Sequence, residues 1–368
     1  MDSKSLIIII ETIIIIIGSI WVWYEIRKSK QVESFSVILF TTGLSLVTSS
    51  SSSFFDKVLM AFGVAMNYSN PVALGGDFNK YYFALGVLLI GISIYIRCYV
   101  KKKLYILNIN SYFHRSIEEY MNSKNLKVFD FRQREIDFVN VYKKIFKERL
   151  DDESFSCIKS EIEDKVKAFK NEAKAFRRGY TGIASIPFVI YAGTFLERTS
   201  IDDFYEFDKV TTQDYYKLSD KSKNNYPELK VITDINSLNN SESDAIVAIS
   251  VTGKISDEDI SQFTTDNIIR IEVDNPKDNT ITEVAQLDKY TNVIMTLIEE
   301  LGKKIPSLNT IHLLYSGQSC MALELGKRCI DSTRLPEIIS YQYERQSEKK
   351  YPWGIVVNGM NKGKLIKC

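Results

Sequence analysis

Apolar positions are spread unevenly along this chain. Long uncharged runs crowd its first hundred residues, and beyond residue 103 apolar residues recur at helical or strand spacing between polar ones. Residues 6–24 read LIIIIETIIIIIGSIWVWY, and nineteen helical residues at about 1.5 Å each cover the roughly 30 Å hydrocarbon core of a bilayer. Trp21, Trp23 and Tyr24 close that run as headgroup-seeking aromatics, and Arg27, Lys28 and Lys30 follow as on a cytoplasmic flank. A cleaved signal peptide would instead need a small-residue cleavage site and its basic charge on the other side. Residues 35–50 form a shorter, hydroxyl-rich apolar run, tolerable because Ser and Thr bond their own helix carbonyls. Residues 54–66 fit either a continuation of this span or an interfacial helix. Residues 81–97 are a firmer span, followed by Lys101, Lys102 and Lys103.

If both basic clusters are cytoplasmic, an even number of crossings separates them. The expectation is therefore a membrane α-helical module over residues 1–103, with spans at about 6–24, 35–50 and 81–97 and an external amino terminus. Two spans are the alternative. Glu11 is the odd residue of this module, because an ionised carboxylate in hydrocarbon costs about 3 kcal/mol or more. It either lines a pore or subunit seam, or is a protonated or snorkelling side chain without a role.

The remainder reads as α/β. Amphipathic helical spacing runs through residues 112–120 and 134–178, so residues 104–180 are expected to be a helical linker region. Short branched runs at 187–194 (PFVIYAGT), 228–235, 244–252, 268–273, 311–315, 338–343 and 354–357 read as buried strands. Helical candidates at 256–263, 281–303 and 320–330 lie between them. Such alternation points to an open, largely parallel sheet over residues 181–368.

Charge and composition narrow the chemistry. With 47 basic against 46 acidic residues, net charge gives no reason to expect a DNA or RNA polymer as partner. Five scattered cysteines lack CxxC spacing, and the two histidines, His114 and His312, belong to no metal motif. Neither a glycine fingerprint for a dinucleotide cofactor nor a catalytic acid–base pair is evident. No cofactor or metal is expected and the chain does not read as an enzyme, a membrane-anchored Rossmann-type enzyme being a further alternative.

A weak internal repeat points to the site. A run ending Tyr191-Ala192-Gly193 is followed by one ending Phe204-Tyr205-Glu206-Phe207, and a strand ending Tyr315-Ser316-Gly317 by Tyr341-Gln342-Tyr343-Glu344-Arg345. Two such halves would bring their strand-end turns to a shared crevice. Ser316, Gly317, Gln318 and Ser319 precede a helix, so free amides and hydroxyls could hold a phosphate there, or the turn is simply an N-cap. Tyr343 and Trp353 are candidates to stack on bases and Arg345 to balance phosphate charge.

The stretch 310–357, with SIPFVIYAG and DAIVAISVTGKIS, resembles SAVED domains. The resemblance implies two fused CARF/Rossmann-like halves that bind a cyclic oligonucleotide, commonly a trinucleotide, made by a CD-NTase-like synthase. Residues from about 134 onward would belong to this domain. Carried over by position, the pocket would comprise Tyr191, Gly193 and Thr194 in one half and Ser316, Gly317, Gln318 and Ser319 in the other, with Thr252 and Lys254 as further candidates. The first half is expected to lack a full helix after Thr194. With transmembrane helices as effector, the chain resembles TM-SAVED members of CBASS anti-phage systems. That implies ligand-driven self-association and disruption of the lipid bilayer of the bacterial inner membrane, from a multi-pass protein with a cytoplasmic carboxyl-terminal domain. A channel or receptor answering CRISPR-derived cyclic oligoadenylate is the alternative.

Overall fold

The structure is a computed structural model that describes residues 31–50, 80–123, 130–148, 151–196, 201–329 and 335–368, besides Ile17, Ile20, Trp21 and Thr199. The chain divides into two units. One holds Met1–Lys103 with Lys174–Arg177, the other Leu104–Ala173 with Arg178–Cys368.

In the first unit, α1 (Gln31–Ser50) packs antiparallel against α2 (Lys80–Lys102). Gly43 and Gly86 make the close approach possible: a Cβ on Gly86 would lie 2.6 Å from the Gly43 carbonyl oxygen, and one on Gly43 2.7 Å from that of Gly86. Small residues at such a crossing let helix backbones touch. Ser93 Oγ donates across to the Ser36 carbonyl at 2.6 Å, while Thr41 and Thr48 bond carbonyls of their own helix. Among the described residues, Lys80–Tyr99 is the one helix long and apolar enough to cross a membrane, and Ser34–Thr48 is apolar over a shorter length. Along α2, Leu85, Val87, Leu88, Ile92 and Ile94 are exposed. Of the two expected spans that fall among the described residues, 35–50 and 81–97, the second meets the length criterion. The span at 6–24, with Glu11, lies outside the described residues except at Ile17, Ile20 and Trp21.

The second unit carries two sheets. After β1 (Lys103–Asn110), α3 (Glu118–Ser123), β2 (Asp130–Asp137), α4 (Val139–Glu148) and α5 (Asp152–Glu172) come β3 (Arg177–Ile183), α6 (Ile186–Leu196), β4 (Asp203–Phe207) and β5 (Tyr215–Lys217). These strands form a five-stranded sheet ordered β2-β1-β3-β4-β5. Then follow β6 (Leu229–Val231), β7 (Asp244–Ser250), α7 (Asp257–Ile260), β8 (Ile268–Val273), α8 (Val284–Lys304), β9 (Thr310–Ser316), α9 (Ser319–Arg328), β10 (Glu337–Gln342), β11 (Trp353–Val356) and β12 (Leu365–Lys367). Their sheet runs β12-β11-β10-β9-β7-β8-β6, with β10, β9, β7 and β8 mutually parallel and the flanking pairs antiparallel. From Ala245 to Ser250, β7 is buried throughout, as a strand covered on both faces must be.

Two expectations are corrected. Residues 187–194 are not a strand but the body of α6, in which Pro187 to Thr194 and Leu196 are all buried. An apolar run buried on every side shows no period to separate helix from strand. The signal that does separate them is Ser185 ahead of Pro187 in the first turn, with the Phe188 and Val189 amides bonded to the Ser185 carbonyl. Residues 104–180 are likewise more than helices, because β1, β2 and β3 form one side of the first sheet. Helical spacing holds for α5, which Asp151 caps by accepting from the Ser154 amide, but residues 130–137 are extended.

The two halves thus share a unit: β3-α6-β4 with parallel strands, and β9-α9-β10 with parallel strands. The helix of the first half is the 186–196 segment itself, and among the described residues no further helix follows it before β4. Helices α6 and α9 pack on each other, and Phe188 of α6 also meets the Trp353 ring, centroids 5.2 Å apart.

Candidate functional site

Carboxyl ends of strands from both sheets open onto one cavity of about 330 Å³, the position where open α/β sheets receive ligands. Gly182 and Ile183 of β3, Glu206 and Phe207 of β4, Thr252 after β7, the Ser316-Gly317-Gln318-Ser319 turn, and Tyr341, Gln342 and Tyr343 of and after β10 line it. Lys209, Asp278, Asn279 and Tyr112 are also among its lining residues. A second, more open depression of about 540 Å³ lies along α8 near Val231, Ile235 and Val293 and shares no lining residue with that cavity.

The β9–α9 turn is small for a steric reason. A Cβ on Gly317 would fall 2.1 Å from the Tyr315 hydroxyl, which itself donates to the Gln318 carbonyl at 2.8 Å. The Gln318 side chain is committed to the protein: Nε2 donates to the Tyr216 hydroxyl (2.8 Å) and the Ile281 carbonyl (2.9 Å), and Oε1 accepts the Ile281 amide at 2.5 Å. Ser319 Oγ is hydrogen-bonded to the Tyr180 hydroxyl of β3 at 2.5 Å, tying the second half to the first.

The amino end of α9 is already occupied by an acid. Glu206, from the end of β4, accepts the Cys320 amide at 2.5 Å and is only 6% exposed. A carboxylate at this pole satisfies an otherwise orphaned amide and favours the helix dipole. Burial pushes the Glu206 carboxyl up to about 7, against the opposing influence of the Cys320 thiol and amide, Lys209 and the Ser319 amide. Burial, then the nearby Glu206, raises the Cys320 thiol well above the ordinary range. The anion position expected for phosphate is thus filled by a side chain of the chain itself.

Other candidates divide sharply. Thr252, Ser316, Gly317, Gln318, Ser319 and Tyr343 line the cavity. Lys254 and Arg345 are exposed and outside its lining. Trp353 is buried, its Nε1 donating to Glu344 at 3.1 Å, so its ring belongs to the core. Tyr191, Gly193 and Thr194 ride on α6: the Tyr191 hydroxyl donates to Glu163 at 2.5 Å, Thr194 Oγ1 to the Tyr191 carbonyl at 2.7 Å, and Gly193 packs on α9. With that segment a helix, the strand-end position of the first half falls to Gly182 and Ile183. Sequence reasoning passed over Glu206, Gln342 and Tyr112, although Glu206 and Gln342 sit in the strand ends that the repeat had marked. No group of metal-ligating side chains occurs among the described residues.

Two α/β halves sharing a strand-end cavity define a fused Rossmann-like architecture. The family model for SAVED, the "SMODS-associated and fused to various effectors sensor domain", matches residues 162–357, and the chain belongs to that family. The fold is similar to the Acinetobacter baumannii Cap4 SAVED/CARF-domain containing receptor with the cyclic trinucleotide 2'3'3'-cAAA, at 14% identity and TM-score 0.45, over 73% of this chain and 54% of the receptor. The same receptor with 3'3'3'-cAAA gives 12% and 0.43, over 85% and 76%. The Moraxella osloensis Cap4 receptor gives 12% and 0.42, over 83% and 59%. This chain thus spans about half the length of the first of these receptors. Comparison with curated proteins found no match.

Proposed function

We propose that this chain is a membrane-attached receptor and effector. A cyclic oligonucleotide, in the first instance a cyclic trinucleotide made by a partner synthase of the CD-NTase kind, enters the strand-end cavity. The liganded sensor units associate, and the apolar helices of the first unit breach the bacterial inner membrane as an anti-phage response. One observation carries the reading: a sensor-family domain with a polar cavity at the meeting of its two halves follows, in the same chain, a helix long and apolar enough to cross a bilayer. In the bilayer, α2 crosses and α1 packs beside it through Gly43 and Gly86, leaving the exposed apolar face of α2 for lipid or a second copy. For ligand to drive assembly it must bind the assembled state more tightly than the free one.

The test is dye release from liposomes carrying the full-length protein. Addition of 3'3'3'-cAAA, 2'3'3'-cAAA or another ring from a panel of cyclic di-, tri- and tetranucleotides should trigger release, with a rise in oligomer size by light scattering in detergent. Release independent of every ring would favour a constitutive channel, and no release with any ring would refute the effector role.

A further inference from the structure

We propose that Glu206 and Gln342 determine which ligands the cavity admits, by accepting hydrogen bonds from nucleobase amines, while ligand phosphates are kept off the amino end of α9 and face Lys209. This rests on the reading above that the ligand is a cyclic oligonucleotide, and it names how that ligand is chosen.

Two independent features of the cavity wall point the same way. The first is Glu206. Its Oε1 holds the Cys320 amide, so a phosphate brought to that amide would have to displace the carboxyl from that hydrogen bond and leave it stranded in a buried setting. The second is Gln342, 6% exposed, which lines the same cavity from the end of β10. Its Nε2 donates to the Tyr112 hydroxyl at 3.1 Å and the Tyr343 carbonyl at 2.9 Å, which fixes the amide's orientation. Its Oε1 has no hydrogen-bond partner. A buried acceptor left in that state is a cost that an arriving donor relieves.

Asp278 adds a carboxylate to the lining, and Lys209 is its single cation, the one full positive charge there to meet the phosphates of the ring. Charged and titratable groups near Glu206 are Lys209, Asp208, Cys320 and the tyrosines Tyr180, Tyr216 and Tyr315. Adenine N6 and cytosine N4 are amine donors of the required kind. A site built to pair a donor discriminates strongly against an analogue that lacks it, since its own acceptors are then stranded.

The test compares two probes by isothermal titration into the full-length protein in detergent: 3'3'3'-cAAA and the same ring carrying unsubstituted purine, which lacks the N6 amine. Wild type should bind the purine ring roughly tenfold or more weakly. Glu206→Gln keeps a carbonyl for the Cys320 amide and turns an NH2 toward the ligand, so it should narrow or reverse that preference. Gln342→Leu, which removes the second acceptor without touching α9, should narrow it independently. Equal affinity of the two rings in wild type, or a preference unchanged in both variants, overturns this inference and leaves the receptor reading intact. Binding of neither ring overturns the inference together with the trinucleotide reading on which it rests.

Discussion

Gly193 of α6 and Gly326 of α9 stand face to face, a Cβ on either falling 3.0 Å from the Cα of the other. Each lies the same number of residues beyond the end of its own strand, at Ile183 and Ser316, so the contact joins equivalent positions of the two halves. The internal repeat is therefore packed on itself, with its pair of first helices as the seam.

That seam has no slack. A Cβ on Gly326 would lie 2.0 Å from the Ile190 carbonyl oxygen, and one on Gly193 2.4 Å from that of Leu323, both backbone atoms. Gly326→Ala should lower stability by about 1–3 kcal/mol through overpacking, measured by thermal unfolding in detergent. Gly91→Ala, where nothing lies within 4 Å, should be close to neutral.

Glu206 makes stability depend on pH in an identifiable direction. Its carboxyl is raised from the ordinary 4.5 to about 7 by burial, so between those values the folded protein holds a proton that the unfolded chain has released. Stability therefore falls as pH rises through that window and levels off above about 7, with a total cost of about 3 kcal/mol. Glu206→Gln should remove this slope and exceed wild type in melting temperature at pH 8 but not at pH 5. A variant that tracks wild type at both pH values would show that the carboxyl does not titrate there.

How much of this was legible depended on whether the signal was local. The β9-α9-β10 unit stood out because a branched strand, a glycine turn and an aromatic strand follow one another within a short stretch. Residues 186–196 misled because a helix buried on every side, like β7, presents an unbroken apolar run. Residues 130–137 alternate charge and bulk in extended form, but the helical spacing of Phe138, Val141 and Tyr142 just beyond obscured them. Glu206 carried no local signal as a cap, since the amide it holds lies 114 residues further on. The polar wall of the cavity is a product of tertiary placement, and of its residues the glycine turn, Thr252 and Tyr343 were readable beforehand.

The division of tyrosines and tryptophan is testable in binding. Tyr343 lines the cavity and is 42% exposed, so Tyr343→Ala should weaken binding of a responsive cyclic oligonucleotide about tenfold, as loss of one base–aromatic stack does. Tyr191→Phe should leave affinity unchanged, because its hydroxyl is bonded to Glu163 away from the cavity. The reverse pattern would move the site to α6.

Helix packing in the first unit should matter to the effector and not to the sensor. Gly86→Val drives side-chain atoms into the Gly43 carbonyl and Val47, separating α1 from α2. Liposome dye release should be lost while ligand affinity in detergent stays within about twofold, a change below 0.5 kcal/mol. Undiminished release would remove the α1–α2 contact from the mechanism.

Everything proposed for this chain depends on the cavity between the halves receiving a cyclic oligonucleotide. Isothermal titration of the full-length protein in detergent against cyclic di-, tri- and tetranucleotides, repeated with Tyr343→Ala and with Tyr191→Phe, tests it most directly. Saturable binding of at least one ring, weakened by Tyr343→Ala and untouched by Tyr191→Phe, is expected. Absence of binding by every ring, or binding indifferent to Tyr343, would contradict it.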